Sequence, residues 1–397
     1  MIALAGADLV LPDRVLDGGA ILIDGDRIVE IVPSSARRWP PGTLDLAHHV
    51  VVPGFIDVHV HGVHGVDALD GPDAIRSIAA RLPRYGVAAF CPTSIACAPA
   101  PLRRMLEAVR TARTSPDWTG ARVLPAHLES NFINPEFKGA QPLECLRLPA
   151  DARPHDGDFT GAEIVAEIGA ARPDVGIITL APELPGALDL VRTLAAAGHH
   201  VSLGHSGASY DEAIAAIDGG ARQATHLFNR MTPINHRVPG LAGAVLERED
   251  VVAELVCDGV HVHPAMVRVA LSAKRPAGIM AITDGTAGSG LLTGARTTIG
   301  GRPITVRDAA YLDDGTLAGS VLTMDAAFAR LVTLMGLSLV DAATISATTP
   351  ARALGLTGHG VIAQGAVADL TVLNRELQVT HTFVGGRLVW SSTLPAA

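Results

Sequence analysis

The feature that most constrains the fold of this chain is a repeat of apolar runs, each followed by a helix-patterned segment. Counting from Phe55, candidate strands fall at 55–61, 87–94, 122–129, 175–181, 199–205, 221–226, 252–258 and 278–284, trailed by Ala-rich amphipathic stretches such as "DEAIAAIDGG" and "PAMVRVALSAKR". Strands apolar along their whole length are buried on both faces, which a parallel sheet with helical crossovers provides. Eight such units predict an α/β protein built on a (β/α)8 TIM-type barrel. An open doubly wound sheet is the alternative, and no G-x-G-x-x-G follows a strand to support it. The flanks read differently. Residues 1–52 alternate in short β-like pieces, with "DGD" in "GAILIDGDRIVEIV" as a hairpin signal, and the C-terminal segment does the same in "GVIAQGAVADLTVLN" and "VTHTFVGGRLVW". Neither end makes a sheet with its own core. Together they are expected to form a small β-sandwich domain, 1–52 plus 356–397, around a barrel spanning 53–355.

A chain of 397 residues accommodates a barrel of about 250 residues with such an appendage. The net charge of -9 is spread along the chain, and no basic stripe points to nucleic acid. Cys91, Cys97, Cys145 and Cys257 lack the spacing of a disulfide framework or zinc knuckle. The N-terminus has no basic region followed by a long apolar core, and the most apolar run, Leu331 to Val340, is about half the ~20 residues that cross a bilayer. A cytoplasmic protein without a membrane partner is expected.

Barrel active sites collect at the C-terminal ends of the strands. Strand one ends in "GFIDVHVHG", where His59 and His61, two residues apart, project from one face. Strand three ends at Glu129 in "PAHLES", strand five at His205 in "VSLGHS", strand six at His226 in "QATHLFN" and strand eight at Asp284 in "AITDG". One histidine at a strand end is usually structural. Five strand ends offering imidazoles and carboxylates to one mouth require a compensating cation, because such groups buried together without one carry a large desolvation cost. A divalent metal centre of one or two ions is the reading. Two ions about 3.5–4 Å apart need a bridging anion. A carbamylated lysine on strand four is one source, but that strand reads "GIITLAPEL" and the only lysines are Lys138 and Lys274, so the bridge is Glu129 or there is none.

His127 is either a deeper partner of the centre or a filled core position. His48, His49, His155, His199, His200, His359 and His381 read as surface residues, while His64 and His236 sit on mouth-side loops and are open to either reading. The Pro- and Gly-rich stretch 130–161 reads as an insertion covering the mouth.

The strings "HLESNFINPEFKGAQP", "LGHS", "THLFNRMTPINHRVPGLAGAVL", "DGVHVHP", "ITDGTAGSG" and "DGTLAGSVLTM" together resemble the N-acetylglucosamine-6-phosphate deacetylase family of the amidohydrolase superfamily. The resemblance covers nearly the whole chain. It implies metal-dependent hydrolysis of the 2-acetamido group of a phosphorylated amino sugar, giving glucosamine 6-phosphate and acetate, by a homodimer. Residue by residue it implies Glu129, His205 and His226 as principal metal ligands, His59 and His61 as holders of a second ion, and Asp284 as the catalytic carboxylate at the metal. It also implies sugar-phosphate contacts from Asn229 and His261, and from Arg237 across the dimer interface. Zinc is the first candidate metal, with iron, manganese and cobalt also suited to such ligands.

The chain departs from the family pattern around the substrate. Ser130 and Asn131 follow Glu129 where Gly-Pro is usual, Gln141 stands at a histidine position, Arg230 at an Ala position, and Gly285 follows Asp284 where Ala is common. Gln141 donates a neutral hydrogen bond but cannot become a cation. Arg230 adds charge beside the phosphate cradle. A related amidohydrolase acting on another N-acetylated sugar or an N-acyl amino acid is therefore the nearest alternative. A non-catalytic sugar-phosphate-binding protein is the alternative of another class.

Overall fold

A computed structural model of the protein describes residues 1–115, 119–150 and 158–392. Its centre is a ring of parallel strands: β1 (Phe55–Val60), β2 (Val87–Ser94), β3 (Ala126–Glu129), β4 (Val175–Leu180), β5 (His200–Leu203), β6 (Gln223–Ala224), β7 (Val252–Val256) and β8 (Ile279–Ile282). Each pairs with the next from β1 to β8. Val60 bridges Gly285 in parallel and the Asp284 amide donates to the His59 carbonyl at 3.1 Å, which closes the ring between β8 and β1. The sequence-based expectation of an eight-stranded barrel is thereby met.

Helices follow the strands as α1 (Ala74–Arg81), α2 (Pro99–Thr114), α3 (Gly161–Ala170), α4 (Ala187–Ala196), α5 (Tyr210–Asp218), α6 (Gly240–Glu247), α7 (Pro264–Lys274) and α8 (Met324–Thr333). Local chemistry starts several of them. Thr160 with Glu163, and Ser209 with Glu212, form reciprocal capping boxes at α3 and α5. Pro lies in the first turn of α2 and α7, where its missing N–H costs nothing. On α4 the buried residues Ala187, Leu190, Val191 and Leu194 form the stripe that packs on the barrel.

Both termini enter one hydrogen-bonded sheet. Its order is Arg387–Ser391, Val379–Val384, Leu370–Leu373, Val50–Pro53, Ile2–Val10, Val15–Asp24 and Arg27–Pro33, with Leu44–Asp45 pairing off Ile2–Val10. Alternation divides its side chains. Leu4, Leu9, Ile21, Ile23, Val51, Leu370 and Val372 join a separate apolar cluster, whereas Val50, Val52 and Leu373 belong to the barrel's core. The same strands thus build a small core on one face and dock on the barrel with the other.

Two excursions cover the barrel mouth. The expected one follows β3, and Asn131 ties it down by donating to the carbonyls of Cys97 and Cys145 at 2.8 and 2.7 Å. The second was not anticipated: after β8 the chain forms a three-stranded sheet of Arg296–Ile299, Arg302–Val306 and Ala310–Leu312. Ile299, Ile304, Leu312 and Ala318 pack with Ile95 and Ala140, joining the two excursions.

Candidate metal centre and active site

Strand geometry delivers the predicted ligands to one place. His59 and His61 stand at the end of β1, Glu129 is the last residue of β3, and His205, His226 and Asp284 each lie two residues beyond β5, β6 and β8. The backbone at His205, His226 and Asp284 is left-handed, with φ of 48, 30 and 51°. Such conformations in residues other than Gly cost on the order of 1–3 kcal/mol each and concentrate at functional sites.

Glu129 is the hub. Its Oε1 lies 2.7 Å from His205 Nε2 and 2.8 Å from His226 Nε2, while its Oε2 accepts from Gln141 and stands 3.7 Å from His61 Nε2. His59 Nε2 and His61 Nε2 are 3.2 Å apart, at 3.5 and 3.3 Å from Asp284 Oδ1. Glu129 therefore faces both imidazole pairs, as a bridging group must.

These residues fit a metal ion. His205 and His226 place their Nε2 atoms 3.0 Å apart, and two buried ring nitrogens at that distance repel unless a proton or cation lies between them. Burial within 4.8 Å of one another makes Glu129–His205–His226 and His59–His61–Glu129 candidate ligand sets. His205 Nδ1 donates to the Phe137 carbonyl at 2.8 Å, which leaves Nε2 as the lone-pair nitrogen facing the centre. Without an ion, protons do the compensating. Burial would lower His226, but its contact with the Glu129 carboxylate outweighs this and raises it to about 9. Burial would raise Glu129, yet His205 and His226 hold it well below the usual carboxylate range. His59, with desolvation dominant, falls to about 3 and is neutral.

Over this floor opens a pocket lined by His61, Glu129, Gln141, His205, His226, Asn229, Arg230, His261 and Asp284, with Gly139 and Ala140 from the first excursion and Ile299 and Leu317–Gly319 from the second. Gln141 Oε1 accepts the Ala96 N–H at 2.7 Å, which turns its amide donors toward Glu129. Asn229 Nδ2 donates to the His226 carbonyl at 3.1 Å. His261 is held by Asp258, Nδ1 to Oδ2 at 2.6 Å, and its Nε2 stands 3.6 Å from Asp284 Oδ2. Arg230 is exposed at the rim and lies so close over Gly139 that a Cβ there would stand 2.8 Å from its Nε. Arg237 does not line this pocket; it is exposed on a loop with Ile234 and Val238.

Other histidines separate into distinct environments. His127 is a deeper partner: its ring packs 4.6 Å from that of His59, with Nδ1 on the Val58 carbonyl and Nε2 on Thr179 Oγ1. His199 is buried rather than superficial, because its Nδ1 donates to the Val175 carbonyl at 3.0 Å and ties β4 to the start of β5. His359 is half-buried against Asp369 and His64 meets the Tyr85 hydroxyl at 2.7 Å. His48 and His236 are exposed, His49, His200 and His381 are half-buried, and His155 lies outside the described residues.

Sequence reading missed Glu254 and Asp57. Glu254, fully buried in β7, takes the His59 Nδ1–H on Oε2 at 2.9 Å. Asp57, fully buried in β1, accepts from the Thr283 hydroxyl at 2.6 Å and clamps β1 to β8. The signal was a lone carboxylate within an apolar strand.

Residues 50–389 match the amidohydrolase family. Rattus norvegicus N-acetylglucosamine-6-phosphate deacetylase is 34% identical over 398 residues, 96% of this chain and 94% of the relative. An Escherichia coli O157:H7 N-acetylgalactosamine-6-phosphate deacetylase is 32% identical over 91% of this chain and 93% of its own. Among solved structures, a mutant Mycobacterium smegmatis N-acetyl-D-glucosamine-6-phosphate deacetylase in complex with N-acetyl-D-glucosamine-6-phosphate superposes with a TM-score of 0.87 at 32% identity, covering 98% of this chain and 99% of that one. The Pasteurella multocida N-acetylglucosamine-6-phosphate deacetylase gives a TM-score of 0.88 at 28% identity over 98% and 99% of the two chains. In sequence over nearly its whole length, and in fold, this chain belongs to the amidohydrolase family, in the group that holds the N-acetylglucosamine-6-phosphate deacetylases.

Proposed function

We propose that this amidohydrolase cleaves the N-acetyl amide of N-acetylglucosamine 6-phosphate, giving glucosamine 6-phosphate and acetate. The observation that carries the reading is the convergence of three histidine sites and two carboxylates on the floor of a pocket that Asn229, Arg230 and His261 also line. Glu129, His205 and His226 hold one divalent ion, and His59 and His61, with Glu129 or Asp284, hold a second. Imidazole and carboxylate donors suit zinc first, with iron, manganese or cobalt as alternatives set by availability. A divalent ion in such a site polarises an acyl carbonyl and lowers the pKa of water from ~15.7 towards ~7.

Asp284 accepts the proton of the attacking water, whose oxygen joins the acetyl carbon. It then returns that proton to the amide nitrogen as the carbon–nitrogen bond breaks, so that the sugar departs as an amine. Gln141 fixes Glu129 and offers a neutral donor beside the acyl group. Asn229, Arg230 and His261 contact the sugar phosphate from within the subunit, and Arg237 reaches it from the partner of a homodimer; guanidinium groups suit phosphate because they donate in a planar fork.

The relative acting on the galactose epimer supports a second reading, N-acetylgalactosamine 6-phosphate, on the same machinery. Acetate release from both phosphorylated epimers, from unphosphorylated N-acetylglucosamine and from an N-acyl amino acid decides among them. The glucose epimer is expected to give the highest kcat/KM. Equal rates with and without the phosphate would remove the roles given to Arg230 and Arg237, and faster hydrolysis of the N-acyl amino acid would overturn the sugar assignment. Sugar-phosphate binding without acetate release in the metal-loaded protein would make it a binding protein.

A further inference from the structure

One carboxylate behind the pocket touches both halves of the metal centre. Glu254 is 0% exposed within the otherwise apolar strand β7 and does not line the pocket. Its Oε2 lies 2.9 Å from His59 Nδ1 and 3.4 Å from the backbone nitrogen of His226. Its own carbonyl accepts the Leu227 N–H at 2.8 Å. On its other side, Oε1 has no hydrogen-bond partner and stands 3.8 Å from His127 Nδ1, which is turned to the Val58 carbonyl.

An imidazole presents one ring nitrogen as a lone pair only when the other carries the proton. Burial pushes the Glu254 carboxyl up to about 7, and in its ionised form it only accepts; at 2.9 Å it then keeps the proton on His59 Nδ1 and leaves Nε2 as the lone-pair atom, facing His61 and Asp284. The same oxygen faces the amide of His226, whose φ of 30° needs outside support. Carboxylates in this relation to a ligating histidine orient the ring and raise its basicity.

We propose that Glu254 is a positioning residue for the second ion: it sets the tautomer of His59 and braces the turn at His226, tying a ligand of one ion to a ligand of the other through a single side chain. This rests on the two-ion reading above. Glu254→Gln keeps the shape without the charge, and Glu254→Leu removes the acceptor. Two readouts are made on chelated protein: stepwise zinc uptake with elemental analysis, and the 15N shifts of the His59 ring. The wild type is expected to take two ions and to show His59 protonated at Nδ1. Glu254→Leu is expected to weaken the second ion about 10- to 100-fold and the first by clearly less, and to lose the single tautomer, with Glu254→Gln between wild type and Glu254→Leu.

Unchanged affinity for both ions in both variants, equal weakening of both ions, or a wild-type His59 protonated at Nε2 would overturn the proposal. If Glu254→Leu fails to fold, Glu254→Gln and the wild-type tautomer still decide. A wild type that saturates at one ion would overturn the two-ion reading instead, and the His59 tautomer would then settle the role of Glu254 by itself.

Discussion

Asp284 gathers most of what this site asks of one residue. Its amide donates to the His59 carbonyl and its carbonyl accepts the Ser320 N–H at 2.8 Å, so the left-handed backbone is locked on both sides. Burial works against its negative charge, but His61, His59 and His261 outweigh it and bring the carboxyl down to about 2, leaving an ionised proton acceptor at neutral pH. Asp284→Asn is expected to keep its metal content and to lose at least ~100-fold in kcat, as removal of a general acid and base does; near-normal turnover would refute the assignment. Asp258 makes a second prediction. Burial pushes its carboxyl up, but the His261 ring and the amides of His261 and Val260 hold it below the ordinary 3.8. A depressed folded value contributes stability above the ordinary value and loses it as pH falls through the folded one. The thermal stability lost in Asp258→Asn relative to wild type should thus be larger at pH 5 than below pH 4, where it shrinks, which paired melting curves would read; a difference that grows in acid would contradict it. At this scale the strand-end histidines and carboxylates were legible because a polar residue closing an apolar run stands out. Glu254 and Asp57 were not, since they sit inside strands where only the closed barrel reveals which face points inward.

Among the elements, the barrel strands were read from their apolar runs, even β6, which pairs through only Gln223 and Ala224. The excursion after β8 was missed because its short alternating pieces resemble the terminal sheet, and nothing local says that Ile299 and Leu317 will face the pocket. The join between barrel and terminal sheet was equally invisible. There the Thr371 and Thr382 hydroxyls donate to the carbonyls of Gly86 and Pro83 at 2.6 and 2.7 Å, contacts spanning most of the chain. Gly86 has φ 76°, and a Cβ on it would stand 2.6 Å from Thr371 Cγ2 and 2.8 Å from Phe55 Cε2. Gly86→Ala combines left-handed strain with overpacking, so a loss of about 2–5 kcal/mol in denaturant unfolding is expected. A loss below about 0.5 kcal/mol, the range of ordinary surface substitutions, would show that the two units are not held there.

For the molecule as a whole, Arg237 is exposed on a loop with Ile234 and Val238 and does not line its own pocket. If Arg237 serves a partner's phosphate, Arg237→Ala should raise KM about 10- to 100-fold, the worth of one charged hydrogen bond. Mixing it with Asp284→Asn subunits should restore low-KM turnover, because hybrid dimers contain one intact site; an additive mixture would contradict the assignment. The central claim is that residues from five strand ends converge on a metal centre. Anomalous diffraction at the zinc edge from crystals of the zinc-loaded protein tests it most directly. The account predicts one peak within about 2.0–2.2 Å of Glu129, His205 and His226 and a second at His59 and His61. Full activity after exhaustive chelation, with no peak between Glu129 and His205, would contradict it.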